Sequence, residues 1–188
     1  MSDIDRLVAR ADIQDLLWRY CRGIDRCDAD LVRSVYHPGA TDDHGIFVGD
    51  AEEFAAMVVP MLEQTYRCTQ HQLSNMMIEI DGDRARAETY FTAYHREHDA
   101  SEGSPDSGAE PRMVVFGGRY LDELERRDRR WGIVARVVAH DWSDAYPLTL
   151  YPDVDKFVQG AGIDGDPSAR LFPRGWGHLT GPASNGRR

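Results

Sequence analysis

The chain has no apolar run near the roughly 20 residues that a membrane-spanning helix needs. Partnership with a membrane is therefore not expected. The opening Met-Ser-Asp-Ile-Asp-Arg is charged and lacks the apolar segment of a signal peptide, so a cytoplasmic location is expected. Cysteine is scarce. Cys21, Cys27 and Cys68 form an odd set with no C-x-x-C pair, which argues for reduced thiols and against a disulfide framework or a cysteine-based zinc site. Positive charge is in deficit. The net charge of -10 argues against a nucleic-acid-binding surface, which is normally basic. Walker and G-x-S-x-G motifs are missing, and the single G-x-G-x-x-G spacing, Gly160-Ala-Gly162-Ile-Asp-Gly165, lies in the Gly- and Pro-rich tail and does not join a predicted strand to a helix, so neither a nucleotide cofactor nor a serine nucleophile is expected. No His-x-x-x-His or Asp-x-Asp-x-Asp spacing occurs either, and no metal is expected. His44, in Asp42-Asp43-His44-Gly45, reads as a turn histidine at the surface or a pocket rim.

What remains suits one domain with a single core: 188 residues, 41% hydrophobic and 29% charged. Ile4, Leu7, Val8, Ala11, Leu16, Leu17, Tyr20, Cys21 and Ile24 recur at helical spacing, with Ser2 or Asp3 as cap. Asp25 follows Leu17 and Cys21 at intervals of four and extends that apolar stripe. A carboxylate placed there is costly to bury without a partner. Asp28 can cap a short second helix that His37-Pro38-Gly39 ends. Ile46-Phe47-Val48 reads as a short strand. Asp50 caps a third helix that Pro60 should kink or split.

From about residue 66 the period becomes two. Four long strands are predicted, roughly 67–80, 84–98, 112–127 and 130–144, with turns at Asp81-Gly82-Asp83 and Arg127-Asp128-Arg129. Apart from Pro105, residues 99–110 have no apolar side chain larger than alanine and read as an exposed, mobile loop over a pocket. Helices first and a long sheet afterwards give an α+β domain. We expect a cone-shaped α+β barrel at 1–146. Its N-terminal helices would pack on a strongly curved, mostly antiparallel sheet around an apolar pocket. The Gly- and Pro-rich tail at 147–188 is expected to be irregular, with a short helix near Asp153–Val158, and either partly disordered or wrapped on a neighbouring subunit.

The chemistry points to Tyr20, Asp25 and His71, in Tyr20-Cys-Arg-Gly-Ile-Asp25 and Thr69-Gln-His71-Gln-Leu-Ser-Asn75. An imidazole titrates near neutrality. A carboxylate on one ring nitrogen fixes the tautomer and leaves the other nitrogen free to take a proton. The same pair could also serve only to anchor a helix to the sheet. Asn75 shares a strand face with His71 by alternation and is a candidate pocket residue. Arg136, Val138, His140 and Trp142 share a face of the last strand. His140 could act as a second acid, or pair with a structural carboxylate. His95 and His98 lie on opposite faces and make a poor metal pair.

These segments resemble the SnoaL-like branch of the nuclear-transport-factor-like superfamily, which includes scytalone dehydratase, bile acid 7α-dehydratase and γ-hexachlorocyclohexane dehydrochlorinase. The residues that carry the resemblance are the opening Met-Ser-Asp-Ile-Asp-Arg-Leu-Val, Tyr20…Ile24-Asp25, Tyr36-His37-Pro38 and Trp131-Gly-Ile-Val-Ala-Arg136. The resemblance covers about 3–145. It implies that His71 is a general base oriented by Asp25, that Tyr20 contacts substrate, and that Arg136 lines the pocket. Tyr20 stands where the dehydrochlorinase has lysine, which turns the expectation from dehydrohalogenation to dehydration. The resemblance also implies a homo-oligomer, a trimer or else a dimer.

The function expected is a cofactor-independent lyase of the dehydratase type. It would act on a small hydrophobic hydroxy-carbonyl compound of steroid, polyketide or aromatic type. His71, Asp25 and Tyr20 would be catalytic, and Arg136, His140 and Asn75 would bind substrate. The alternatives are an isomerase or cyclase using the same dyad, a non-catalytic domain binding a hydrophobic ligand, and the small subunit of an oxygenase.

Overall fold

Ser2 starts the first helix by accepting from the Asp5 backbone N–H while the Asp5 carboxylate accepts from the Ser2 backbone, a closed capping box. Helix α1 then runs Asp3–Asp25. Its second half buries Ile13, Leu16, Leu17, Tyr20 and Ile24 against the sheet, each aliphatic side chain contributing about 1.5–3 kcal/mol. Its first two turns do not follow the predicted stripe: Ile4, Leu7 and Val8 are exposed, because α1 meets the sheet only beyond them. Asp28 and Asp50 cap α2 (Ala29–Ser34) and α3 (Ala51–Thr65). Pro60 does not split α3, which continues through it. The buried face of Phe54, Ala55, Val58, Val59 and Leu62 spans both sides of the proline and outweighs one lost backbone hydrogen bond.

The computed structural model describes residues 1–98, 110–149 and 154–173. The expected mobile loop therefore lies, apart from Glu110, outside the described residues. Six strands form one mixed sheet in the order β2-β1-β6-β5-β4-β3. They are β1 (Tyr36–Asp43), β2 (Val48–Asp50), β3 (Tyr66–Asp81), β4 (Arg84–Glu97), β5 (Arg112–Arg127) and β6 (Arg130–Pro147). The three helices pack on one face, giving the cone-shaped α+β architecture with an open sheet. The four long strands fall where alternation puts them. Strand β1 does not: Pro38 and Gly39 read as a terminator, yet they sit in a register irregularity between Tyr36 and Thr41, where a missing N–H costs no ladder bond. Beyond it Asp42 and Asp43 pair in parallel with Arg136 and Val137 of β6. That contact spans about a hundred residues and has no local signature.

Two further irregularities decide which side chains face inward. A shift between Leu73 and Met76 in β3 breaks alternation, and another between Gly117 and Gly118 skips Asp141 in β6. Gly118 is required there, since a Cβ would come within 2.3 Å of the Ala139 carbonyl oxygen. The described part of the tail returns to its own chain. The Ile163 N–H donates to the Arg26 carbonyl at 2.7 Å, Arg22 reaches Ser168 and the Phe172 carbonyl, and Ile163 is buried. In place of the expected helix near Asp153–Val158 there is one 3₁₀ turn at Val154–Lys156.

Candidate active site

Helices α1 and α3 close over the concave face of the sheet and leave a cavity of about 410 Å³. Its wall is mostly apolar: Ile24, Phe54, Val58, Met61, Leu62, Phe91, Phe116 and Val138. Into this wall project Tyr20, Tyr66, Tyr120 and the histidines His44, His71, His95 and His140. So many imidazoles in an apolar chamber of small-molecule size mark it as the candidate site.

Asp25 ends α1 beside the start of β3. Its carboxylate accepts from the Thr69 hydroxyl at 3.0 Å and from the His71 backbone N–H at 3.1 and 2.9 Å. The same carboxylate lies 2.7 Å from His71 Nδ1. Burial by itself would raise the Asp25 carboxyl, but the hydrogen bonds and electrostatic pull of the His71 ring, with the bonds from the His71 backbone and Thr69, prevail and hold it below the ordinary carboxylate value. An ionised Asp25 places the proton of the neutral imidazole on Nδ1 and leaves Nε2 available to the cavity. This arrangement suits a general base.

His95, two residues along from Ala93 on the inner face of β4, stands edge-on to His71 with ring centroids 5.5 Å apart. Burial, and then the proximity of His71, pull it down to about 4, so it is neutral at physiological pH. His95 is a pocket residue, which its place in sequence beside His98, a poor metal pair, does not announce. The alternation Phe91, Ala93, His95 was the signal that it faces the pocket. Among the described residues no group of three or more potential metal ligands is assembled.

Tyr20 is buried, and burial pushes its hydroxyl well above the ordinary phenol value. Its oxygen is 3.1 Å from His44 Nε2, and the His44 ring stacks on Phe54 at 4.2 Å. His44 Nδ1 is hydrogen-bonded to Asp42 Oδ1, and the Tyr36 hydroxyl donates to Asp42 Oδ2 at 2.6 Å. This second histidine–aspartate pair was not anticipated. Two aspartates beside a histidine read as a turn, whereas Asp42 belongs to a strand and is fully buried.

Two expected substrate contacts are corrected. Arg136 does not line the cavity. It is 1% exposed and donates to both oxygens of Asp122, from Nε at 2.7 Å and from Nη2 at 2.9 Å. Its guanidinium lies 4.1 Å from the Tyr20 ring centroid and 4.3 Å from that of Tyr120. It supports these rings from beneath. Asn75 is exposed, because the irregularity after Leu73 turns it off the face that His71 occupies. His140 does line the cavity and is exposed at its edge. Trp142 leaves the expected face, since skipping Asp141 turns it outward over Gly117.

Solved structures share this architecture. The hexachlorocyclohexane dehydrochlorinase LinA-type3 from Novosphingobium barchaimii is 22% identical, with 80% of this chain and 99% of that chain covered and a TM-score of 0.66. A scytalone dehydratase-like protein from Novosphingobium aromaticivorans is 16% identical, covering 79% and 95% with a TM-score of 0.64. A nuclear transport factor 2-like superfamily protein from Salmonella enterica is also 16% identical, covering 79% and 98% with a TM-score of 0.60. At these identities the likeness speaks for the fold alone. No curated protein matches the chain by sequence. The profile of the SnoaL-like domain matches residues 5–137, which takes in both histidine–aspartate pairs, and the chain belongs to that family.

Proposed function

We propose that the protein is a cofactor-independent lyase that removes water from a small hydrophobic hydroxy-carbonyl compound. The observation that carries this is the Asp25–His71 pair opening on an apolar chamber. His71 Nε2 takes the proton from a carbon made acidic by a neighbouring carbonyl. Asp25 holds the ring and stabilises the imidazolium. Tyr20 meets the departing oxygen, and His140 meets substrate at the cavity edge. The apolar wall selects a steroid, polyketide or aromatic skeleton. An isomerase or cyclase would use the same first step, but loss of water fits the hydroxyl of Tyr20 placed in the same wall as the base.

A suitable probe is 4-hydroxy-4-phenylbutan-2-one, whose dehydration gives a conjugated, strongly absorbing enone. Wild type is expected to accelerate this loss of water. His71→Ala removes the base and lowers the rate by ~10²–10⁴-fold, and Asp25→Asn lowers it less. Equal rates in all three proteins would leave the pair as a helix anchor. The proposal includes a homotrimer in the cytoplasm. Ile4, Leu7 and Val8 on α1, and Met77, Tyr90, Val137 and Trp142 on the outer sheet face, are exposed apolar side chains that an assembly would cover.

A further inference from the structure

A base alone does not expel hydroxide. Loss of water needs a proton delivered to the departing oxygen, and a buried tyrosine is a poor source because its phenolate is unstable. The Tyr20 hydroxyl is not isolated, however. Behind it stands His44, 3.1 Å away through Nε2 and hydrogen-bonded to Asp42 through Nδ1. Asp42 is in turn fixed by the Tyr36 hydroxyl at 2.6 Å, and the His44 ring is held flat against Phe54. His44 and His71 come from distant parts of the sheet. His44 directly follows β1, His71 lies in the edge strand β3, and β6, β5 and β4 run between them. Curvature brings both to one cavity. The chamber therefore holds two histidine–aspartate pairs, one with a free ring nitrogen and one whose outer nitrogen meets a tyrosine.

We propose that the Asp42–His44 pair is the acid arm of the site, supplying through Tyr20 the proton that the leaving oxygen takes. The inference rests on the lyase reading and adds the proton source to it. His71 Nε2 takes the proton from carbon. The C–H electron pair becomes the new C=C bond while the C–O bond breaks. The departing oxygen takes the Tyr20 proton and leaves as water. Tyr20 is reprotonated by the Nε2–H of a His44 imidazolium whose charge Asp42 balances. One proton enters at His71 and one leaves at His44, and exchange with solvent restores both rings. His44 acts through Tyr20 and is a positioning and relay residue. Its effect depends on how much the leaving group needs a proton, which a merely structural role does not imitate.

The test uses two probes with the same carbon acid: 4-hydroxy-4-phenylbutan-2-one and 4-(4-nitrophenoxy)-4-phenylbutan-2-one. The first must lose hydroxide or water, whereas the second loses a stable phenolate that needs no acid. The readout is the ratio of the two elimination rates in one sample, so a fall in folded protein leaves it unchanged. In His44→Gln the ratio is expected to shift against the hydroxy compound by ~10²-fold or more. Asp42→Asn should shift it in the same direction by less. His71→Ala should lower both rates together. If wild type eliminates both probes and His44→Gln leaves the ratio unmoved, the acid arm is overturned and the base stands. If wild type eliminates only the nitrophenoxy probe, the acid arm is overturned as well. If it eliminates neither, the lyase reading falls and this inference with it.

Discussion

At the scale of single residues, the buried ionisable groups make the fold sensitive to acid, and the sign follows from the direction of each shift. His95 binds a proton at about 4 in the folded chain and near 6.5 when unfolded. The unfolded chain therefore binds it first. Its contribution is complete above about pH 6.5 and is lost as pH falls from there through 4. Asp25, also lowered, contributes above the ordinary carboxylate value and loses that contribution as pH falls through its folded value. Urea unfolding should show roughly 2 kcal/mol of stability lost between pH 7 and 4.5 on account of His95, and His95→Phe should flatten that slope. Arg136 gives a second prediction. Arg136→Met strands a buried Asp122 and should cost about 3–5 kcal/mol, while adding Asp122→Leu should recover most of it. Were Arg136 a substrate contact instead, the single variant would unfold like wild type.

At the scale of elements, local chemistry made much of the architecture legible. The Ser2, Asp28 and Asp50 caps, the four long strands and both hairpin turns were readable because each is decided within a few residues. The turn after β5 carries Asp128 and Arg129 with φ of +50° and +64°, where side chains are strained. Asn-Gly at these two positions should raise stability by about 1 kcal/mol, seen as a higher unfolding midpoint. Strand β1 was not legible. Its Pro-Gly pair resembles a stop, and only the non-local pairing with β6 makes it a strand. The site divided along the same line. Tyr20, Asp25 and His71 were readable from the apolar stripe and the strand start. Asn75 and Trp142 were misplaced because one irregularity in each strand inverts the facing of everything beyond it. The Asp42–His44 pair was hidden with β1 itself.

At the scale of the whole molecule, one curved sheet delivers side chains from strands far apart in its order to a single chamber. The apolar wall keeps the dielectric low, so the charge of Asp25 acts strongly on His71. The outer face and the start of α1 keep apolar side chains exposed, and the proposed trimer would cover them. Light scattering on the eluting protein should give about three times 21.3 kDa, and Leu7→Asp with Val137→Asp should lower it if these surfaces meet a neighbour. The most direct measurement concerns the base alone. 4-Phenylbutan-2-one has an acidic carbon and no leaving group, so enzyme in deuterated water can only exchange its protons. Proton NMR should show wild type exchanging the C3 protons ~10²-fold faster than His71→Ala or more, with Asp25→Asn between them. Exchange at the same rate with and without the imidazole would contradict the assignment of His71 as the base.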